Sequence, residues 1–160
     1  DEHIPARNRP GQLRHLMRQL EKAPAGEGTD LGAAMKGLHE LIRKRSLVVL
    51  MSDLLAPLGD LEKQIGYFAA GGHQIAVYQF LDPREIDFEF SKATHFRDSE
   101  SSRDLFIDPA AARPDYLERF NAHLAAIRQL CGRHGVNYRL VSTTEPLEQV
   151  LFEFVTHRRK

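Results

Sequence analysis

RSLVVLMSDLLAP, residues 45–57, is the stretch that decides the fold. Residues 47–51 form a continuous apolar run, which is typical of a strand covered on both faces in a parallel sheet. The run stops at Ser52 and Asp53, and a helical pattern begins a few residues later. Open α/β sheets bind their ligands beyond the carboxyl ends of such strands. Asp53 is therefore the first candidate for function, and the alternative is that Ser52 or Asp53 merely caps the following helix.

The composition is ordinary for a globular protein and excludes several functional classes. The 160 residues suit one domain, residues 1–160, and are 42% hydrophobic and 28% charged. The 22 basic and 22 acidic side chains cancel, so no overall positive field recruits nucleic acid. A lone cysteine, Cys131, fits a reducing compartment, and we expect a cytoplasmic protein. We find no apolar run that could span a bilayer and no signal peptide at the start.

Hydrophobic periodicity predicts alternating helices and strands along the chain. Predicted strands cover residues 47–51, 73–81 and 136–141, and a small antiparallel excursion involves residues 86–90, Phe96 and residues 105–107. Predicted helices cover residues 10–22, 58–70 and 114–134. Another predicted helix is capped by Thr29 or Asp30. A last one is capped by Thr143 or Thr144, and its inner face carries residues 147, 150, 151, 154 and 155.

This order indicates a layered, Rossmann-like α/β domain with a mainly parallel sheet covered by helices. Three long strands are few for about five helices, because each helix needs strand surface to cover. The chain also starts with Asp1 rather than methionine. We therefore expect an amino-terminally truncated fragment whose first central strands precede Asp1.

Oxygen-bearing side chains lie at the predicted helix starts and strand ends: Thr29, Ser52, Asp53, Asp82 and Glu85. Hydroxyl, carboxylate and water oxygens suit hard divalent cations such as Mg²⁺ or Mn²⁺. The alternative for Asp82 and Glu85 is turn chemistry around Pro83 with a surface ion pair to Arg84. Other familiar sites are absent from the sequence, because no glycine-rich phosphate loop, zinc-protease histidine pair or serine-nucleophile elbow occurs.

Two segments carry a resemblance to a known family. GTDLGAAM, residues 28–35, and RSLVVLMSDLL, residues 45–55, resemble the second half of a von Willebrand factor A-like domain. Three longer segments narrow the resemblance to uncharacterised bacterial proteins that are typically encoded beside MoxR-type AAA ATPases. They are GGHQIAVYQFLDPREIDFEF at residues 71–90, FRDSESSRDLFIDP at residues 96–109 and CGRHGVNYRLVSTTEPL at residues 131–147.

The resemblance implies a metal-ion-dependent adhesion site. Thr29 and Asp53 match the threonine and aspartate ligands of that site, and Ser52, Asp82 and Glu85 would be its neighbours. The family's other ligands come from an Asp-x-Ser-x-Ser motif on an earlier central strand, and this sequence has no such motif. The implied ion is Mg²⁺ or Mn²⁺ in the complete protein, and whether the fragment binds any metal stays open.

The function that this resemblance implies is protein binding rather than catalysis. The partner would be a MoxR-type ATPase or its client protein, captured through a carboxylate on the bound metal. One alternative is a metal-dependent hydrolase or phosphotransfer enzyme using Asp53, Asp82 and Glu85. Another is a scaffold that forms homo-oligomers through an unpaired edge of the strand at residues 47–51.

Overall fold

The structure, a computed structural model, describes residues 4–5, 7–22, 30–55, 57–90, 94–97 and 104–157. In chain order the elements are α1 (Gln12–Leu20), α2 (Leu31–Leu41), β1 (Leu47–Ser52), α3 (Leu58–Ala70), β2 (Gln74–Leu81), α4 (Pro83–Asp87), β3 (Thr94–Arg97), β4 (Asp104–Ile107), α5 (Pro109–Arg133), β5 (Asn137–Ser142) and α6 (Leu147–His157). Among the described helices, none is both long enough and apolar enough to cross a membrane.

The centre of the fold is a parallel sheet of three strands in the order β1-β2-β5. In its register Ser52 of β1 lies beside Gln79 of β2, and Gln79 lies beside Leu140 of β5. All three carboxyl ends therefore meet at one edge of the sheet. β1 is an outer strand, and its second side has no strand partner among the described residues.

Helices cover both faces of this sheet. Because strand side chains alternate between faces, one face carries Val48, Ile75 and Val77 toward α2, α3 and α5. The main core joins these residues to side chains of the three helices: Met35, Leu61, Ile65, Phe68, Ile127, Leu130 and Cys131. On the other face Tyr78 meets Phe154 of α6, with 6.0 Å between the ring centres. The predicted layered α/β fold with a parallel sheet is thus confirmed.

The three predicted long strands and the hairpin are present, but the segment at residues 86–90 is not a strand. β3 and β4 pair antiparallel, with Thr94 opposite Ile107. Residues 83–87 instead form the short helix α4, which ends at Phe88 in the left-handed region with φ 50°. The prediction of a strand here is wrong because Asp82, Pro83 and Glu85 start a helical turn whose local hydrogen bonds outweigh the apolar alternation.

Two helices also differ from their predictions. α5 begins at Pro109 rather than residue 114, because the Asp108 side chain accepts a hydrogen bond from Ala110 N at 3.0 Å. Pro114 then lies inside the helix. Among the α6 residues whose burial is described, Val150 alone is buried, whereas three residues predicted to lie inside are mostly exposed: Leu147, Leu151 and Val155. The amphipathic α1 has no buried residue at all.

Candidate functional site

The loop after β1 uses its polar side chains to shape a turn. Leu54 N donates to Ser52 Oγ at 3.1 Å, and Leu55 N donates to Asp53 Oδ1 at 3.3 Å. α3 begins three residues beyond Leu55, after Pro57, and no described side chain caps it. The alternative that Ser52 or Asp53 caps this helix is therefore wrong. Asp53 remains exposed, and its Oδ2 has no donor among the described residues.

Leu54 fixes the direction of this loop. Its φ of 54° lies in the left-handed region, which is costly for a residue with a branched side chain. Its side chain is only 1% exposed and belongs to the main core. Burial of the leucine side chain thus offsets the backbone strain. The turn buries Leu54 and leaves the Asp53 side chain in solvent.

A buried amide holds the backbone of Asp53. Gln79 of β2 is fully buried, and its Nε2 donates to the carbonyl oxygen of Asp53 at 2.6 Å. Its Oε1 accepts a hydrogen bond from the Tyr138 hydroxyl of β5 at 2.7 Å. Burial raises the pKa of Tyr138, which keeps this hydroxyl protonated as a donor at neutral pH. Both ends of the Gln79 amide are therefore satisfied inside the protein.

A histidine holds the next carbonyl. His123 of α5 places its Nε2 2.6 Å from the carbonyl oxygen of Leu54. A carbonyl oxygen can only accept, so Nε2 carries the proton in this contact. Two successive carbonyl groups are thus held from two different elements, β2 and α5. Sequence reasoning missed all three of these residues, Gln79, His123 and Tyr138, although a glutamine within the apolar strand at residues 74–81 is a visible signal for Gln79.

The carboxylates at the end of β2 serve a different purpose. Asp82 Oδ1 accepts a hydrogen bond from Arg84 N at 2.8 Å, and Glu85 Oε2 accepts one from Asp82 N at 2.8 Å. Together they form a capping box that starts α4. The turn chemistry weighed for Asp82 and Glu85 is therefore present. Tyr116 of α5 further ties this turn down by donating its hydroxyl to the Glu85 carbonyl at 2.8 Å.

The start of α2 borders the same edge of the sheet. Asp30 caps this helix, with its Oδ1 accepting from Ala33 N at 2.9 Å. A cavity of about 280 Å³ separates the starts of α2 and α3, and its lining includes Asp30, Leu54 and Asp60. Asp60 forms an exposed ion pair with Lys63 at 3.0 Å. Thr29, the other residue matched to the adhesion site, lies outside the described residues.

The described residues do not bring three metal-binding side chains together. No group of three histidine, cysteine, aspartate or glutamate side chains in this part of the chain could hold a metal ion. Asp53, Asp82 and Glu85 thus share an edge of the sheet without forming a three-carboxylate cluster.

A larger cavity lies elsewhere in the described part of the chain. It measures about 500 Å³ and opens near the amino ends of β2 and β5, where His73, Asn137 and Arg139 line it. Arg139 already forms ion pairs with Glu145 and Glu153. A cationic group that is paired in this way is poorly placed to recruit an anionic ligand, so the size of this cavity does not make it the better candidate.

Comparison with known proteins identifies the family. A family model described as "Protein of unknown function DUF58" matches residues 1–126. The chain belongs to the DUF58 family. The match covers Asp53, Gln79, Asp82 and His123 and stops before Tyr138. No solved structure matches the chain significantly.

The curated relatives of this DUF58 protein are mycobacterial. The chain is 27% identical to the uncharacterised protein MAV169 of Mycobacterium avium, over 98% of the chain and 94% of that protein. It is also 27% identical to the uncharacterised proteins Rv1480 of Mycobacterium tuberculosis and Mb1516 of Mycobacterium bovis, over 98% of the chain and 50% of each relative. The chain therefore spans about half the length of these last two relatives.

Proposed function

We propose that this DUF58 protein is a protein-binding module whose site is the loop after β1. One observation carries the proposal: Asp53 presents an exposed carboxylate from a loop whose backbone carbonyls are hydrogen-bonded on the inner side by Gln79 and His123. A fixed carboxylate at the carboxyl edge of a parallel sheet is suited to anchor a divalent cation, Mg²⁺ or Mn²⁺. The cation would in turn capture a carboxylate of the partner protein.

The local donor set is small and fits a hard cation that keeps most of its waters. Asp53 Oδ2 supplies an anionic oxygen, and the Ser52 hydroxyl lies 3.4 Å from the other carboxylate oxygen. Mg²⁺ typically keeps several waters and takes only one or two protein carboxylates. From the von Willebrand A-like interpretation we add Thr29 as a further ligand.

The partner class follows from the chemistry of the open coordination position. A carboxylate of the partner would bind there through a charge-assisted contact that is strongest when partly desolvated. The sequence resemblance supports a MoxR-type AAA ATPase, or a client that such an ATPase remodels or matures, as the source of this carboxylate.

The enzymatic alternative finds less support. A hydrolase or phosphotransfer site would need Asp82 and Glu85 as ligands beside Asp53. Both of these side chains accept backbone hydrogen bonds in the capping box of α4. Among the described residues the three carboxylates also form no cluster that could hold a metal ion, so no observation favours this second function.

A capture experiment tests the proposal. The immobilised chain is incubated with a purified MoxR-type ATPase from the same genome in Mg²⁺ and in EDTA, alongside Asp53→Asn and Asp82→Asn variants. We expect capture in Mg²⁺ that is lost in EDTA and in Asp53→Asn but kept in Asp82→Asn, since asparagine still caps a helix. Equal capture by wild type and Asp53→Asn would refute the metal-adhesion mechanism.

A further inference from the structure

We infer that Gln79 and Tyr138 are positioning residues that set the place of the Asp53 carboxylate from inside the sheet. The inference rests on the proposed function, because it assumes that Asp53 is the residue that binds. Neither side chain reaches the site itself. Gln79 acts through the Asp53 carbonyl at 2.6 Å, and Tyr138 acts through Gln79 at 2.7 Å.

The two hydrogen bonds define a single orientation of the Gln79 amide. A flipped amide would turn its Oε1 toward the Asp53 carbonyl, so that two acceptors would face each other. In the observed orientation Nε2 faces that carbonyl and Oε1 receives the Tyr138 hydroxyl. These two hydrogen bonds thus link Tyr138 of β5, Gln79 of β2 and Asp53 at the end of β1. They fix the loop backbone relative to the sheet.

The cost of this arrangement argues for a purpose beyond packing. Burying an amide and a hydroxyl costs free energy unless every polar atom is paired. An apolar residue at position 79 would extend the core formed by Val77 and Leu81, which are fully buried on the same strand. A loop carbonyl at the edge of a sheet could instead bond to water. A fully satisfied buried network specifies one backbone conformation, and here that conformation belongs to Asp53 and Leu54.

A Gln79→Glu variant gives the most direct test. The neutral carboxyl is nearly isosteric with the amide and can donate its O–H to the Asp53 carbonyl, whereas the ionised carboxylate cannot donate. Burial raises the pKa of such a carboxyl, so both forms are accessible in one pH titration. Gln74→Glu, at the exposed start of the same strand, is the matched control.

The readouts are the ¹H–¹⁵N shifts and hydrogen exchange of the Leu54 and Leu55 amides, and the site of line broadening by Mn²⁺. In Gln79→Glu near pH 5 we expect the amide shifts, the exchange rates and the Mn²⁺ broadening to match those of wild type. Near pH 8 we expect the Leu54 and Leu55 amide resonances to shift and the broadening at Asp53 to decrease. Gln74→Glu should follow wild type throughout. A purely structural role would change stability without this pH-dependent recovery at the site.

Tyr138→Phe provides a second variant if Gln79→Glu fails to fold. We expect amide exchange at Leu55 to accelerate about five- to tenfold, the equivalent of one lost hydrogen bond. Tyr78→Phe, the same change on the opposite face of β2, should leave this exchange unchanged.

The possible outcomes separate the inference from the proposed function. The inference would be overturned if the amide shifts, the exchange rates and the Mn²⁺ broadening of Gln79→Glu and Tyr138→Phe stayed at wild-type values. Displaced amides with unchanged Mn²⁺ affinity would also overturn it, because Gln79 would then shape the loop without serving the site. Absence of Mn²⁺ broadening in wild type would refute the proposed metal site and, because the inference assumes that Asp53 binds, would overturn the inference as well.

Discussion

The carboxyl ends of β1 and β2 look alike in sequence and differ in structure. Each apolar strand ends in an aspartate, Asp53 or Asp82, beside further polar residues. At the end of β2 the carboxylates of Asp82 and Glu85 accept backbone hydrogen bonds that start α4. At the end of β1 Ser52 and Asp53 also accept backbone hydrogen bonds, but no helix starts there. Gln79 and His123 hold two successive backbone carbonyls of this loop.

The difference concerns what the hydrogen bonds at each end hold in place. At the β2 end the two carboxylates start a helix, and Tyr116 of α5 holds the Glu85 carbonyl. At the β1 end the Asp53 carboxylate caps no helix, its own carbonyl accepts from the buried Gln79 amide, and its Oδ2 has no donor in the described part of the chain. An acidic strand end is therefore a stronger functional candidate when its carboxylate starts no helix.

The largest expected effect on stability comes from removing the buried amide at the β1 end. Gln79→Leu leaves the Asp53 carbonyl and the Tyr138 hydroxyl without their partner. Since each unsatisfied buried group costs about 1–3 kcal/mol, we expect the free energy of unfolding to fall by about 2–6 kcal/mol. Urea denaturation measures this, with Gln74→Leu at the exposed start of β2 changing it by less than about 0.5 kcal/mol. Similar values for both variants would show that the network does not stabilise the fold.

A smaller loss is expected at the β2 end. Asp82→Ala removes the capping side chain of α4, and loss of such a cap costs about 1 kcal/mol. Asp82→Asn should recover most of the free energy of unfolding, because asparagine caps nearly as well. If Asp82→Ala were as stable as wild type, the Asp82 side chain would not stabilise the start of α4.

Alkaline pH should weaken both ends through their tyrosines. Burial raises the pKa of Tyr138 at the β1 end and of Tyr116 at the β2 end above the ordinary value of 10.0. The neutral hydroxyls therefore stabilise the folded state fully below pH 10, and this contribution is lost as the pH rises through the folded-state pKa values. Urea denaturation between pH 8 and 11 should show a decline that is shallower in Tyr138→Phe and in Tyr116→Phe. An equally steep decline in both variants would assign it to other groups.

The smallest effect on stability is expected for Asp53 itself. Asp53→Asn keeps an oxygen that can accept from Leu55 N, and the side chain is exposed. We expect the metal-free free energy of unfolding to change by less than about 0.5 kcal/mol. Thermal denaturation in EDTA checks this expectation. A large loss would mean that Asp53 is retained for the fold rather than for binding.

Much of the fold is predictable from the sequence because its strands and helices have clear hydrophobic periods. Two errors in the bounds and type of elements occur where short polar signals outweigh that period. Asp108 and Pro109 start α5 earlier than its apolar pattern suggests, and the capping box at Asp82 and Glu85 replaces a predicted strand by α4.

The candidate site is predictable only in part. Asp53 follows from its position at the end of a buried strand. Gln79 and His123 do not, because they act on backbone carbonyls 26 and 69 residues away in sequence, and a carbonyl leaves no residue signature. Such contacts emerge only when the register of β1 against β2 and the placement of α5 are known.

The most direct test of the difference between the two strand ends is Mn²⁺-induced line broadening in ¹H–¹⁵N spectra of the chain. Paramagnetic broadening reports weak binding and locates it at individual amides. We predict broadening centred on the amides of Ser52, Asp53 and Leu54 that disappears in Asp53→Asn and persists in Asp82→Asn. Broadening centred on Asp82 and Glu85, or unchanged by Asp53→Asn, would contradict the assignment of the site to the end of β1.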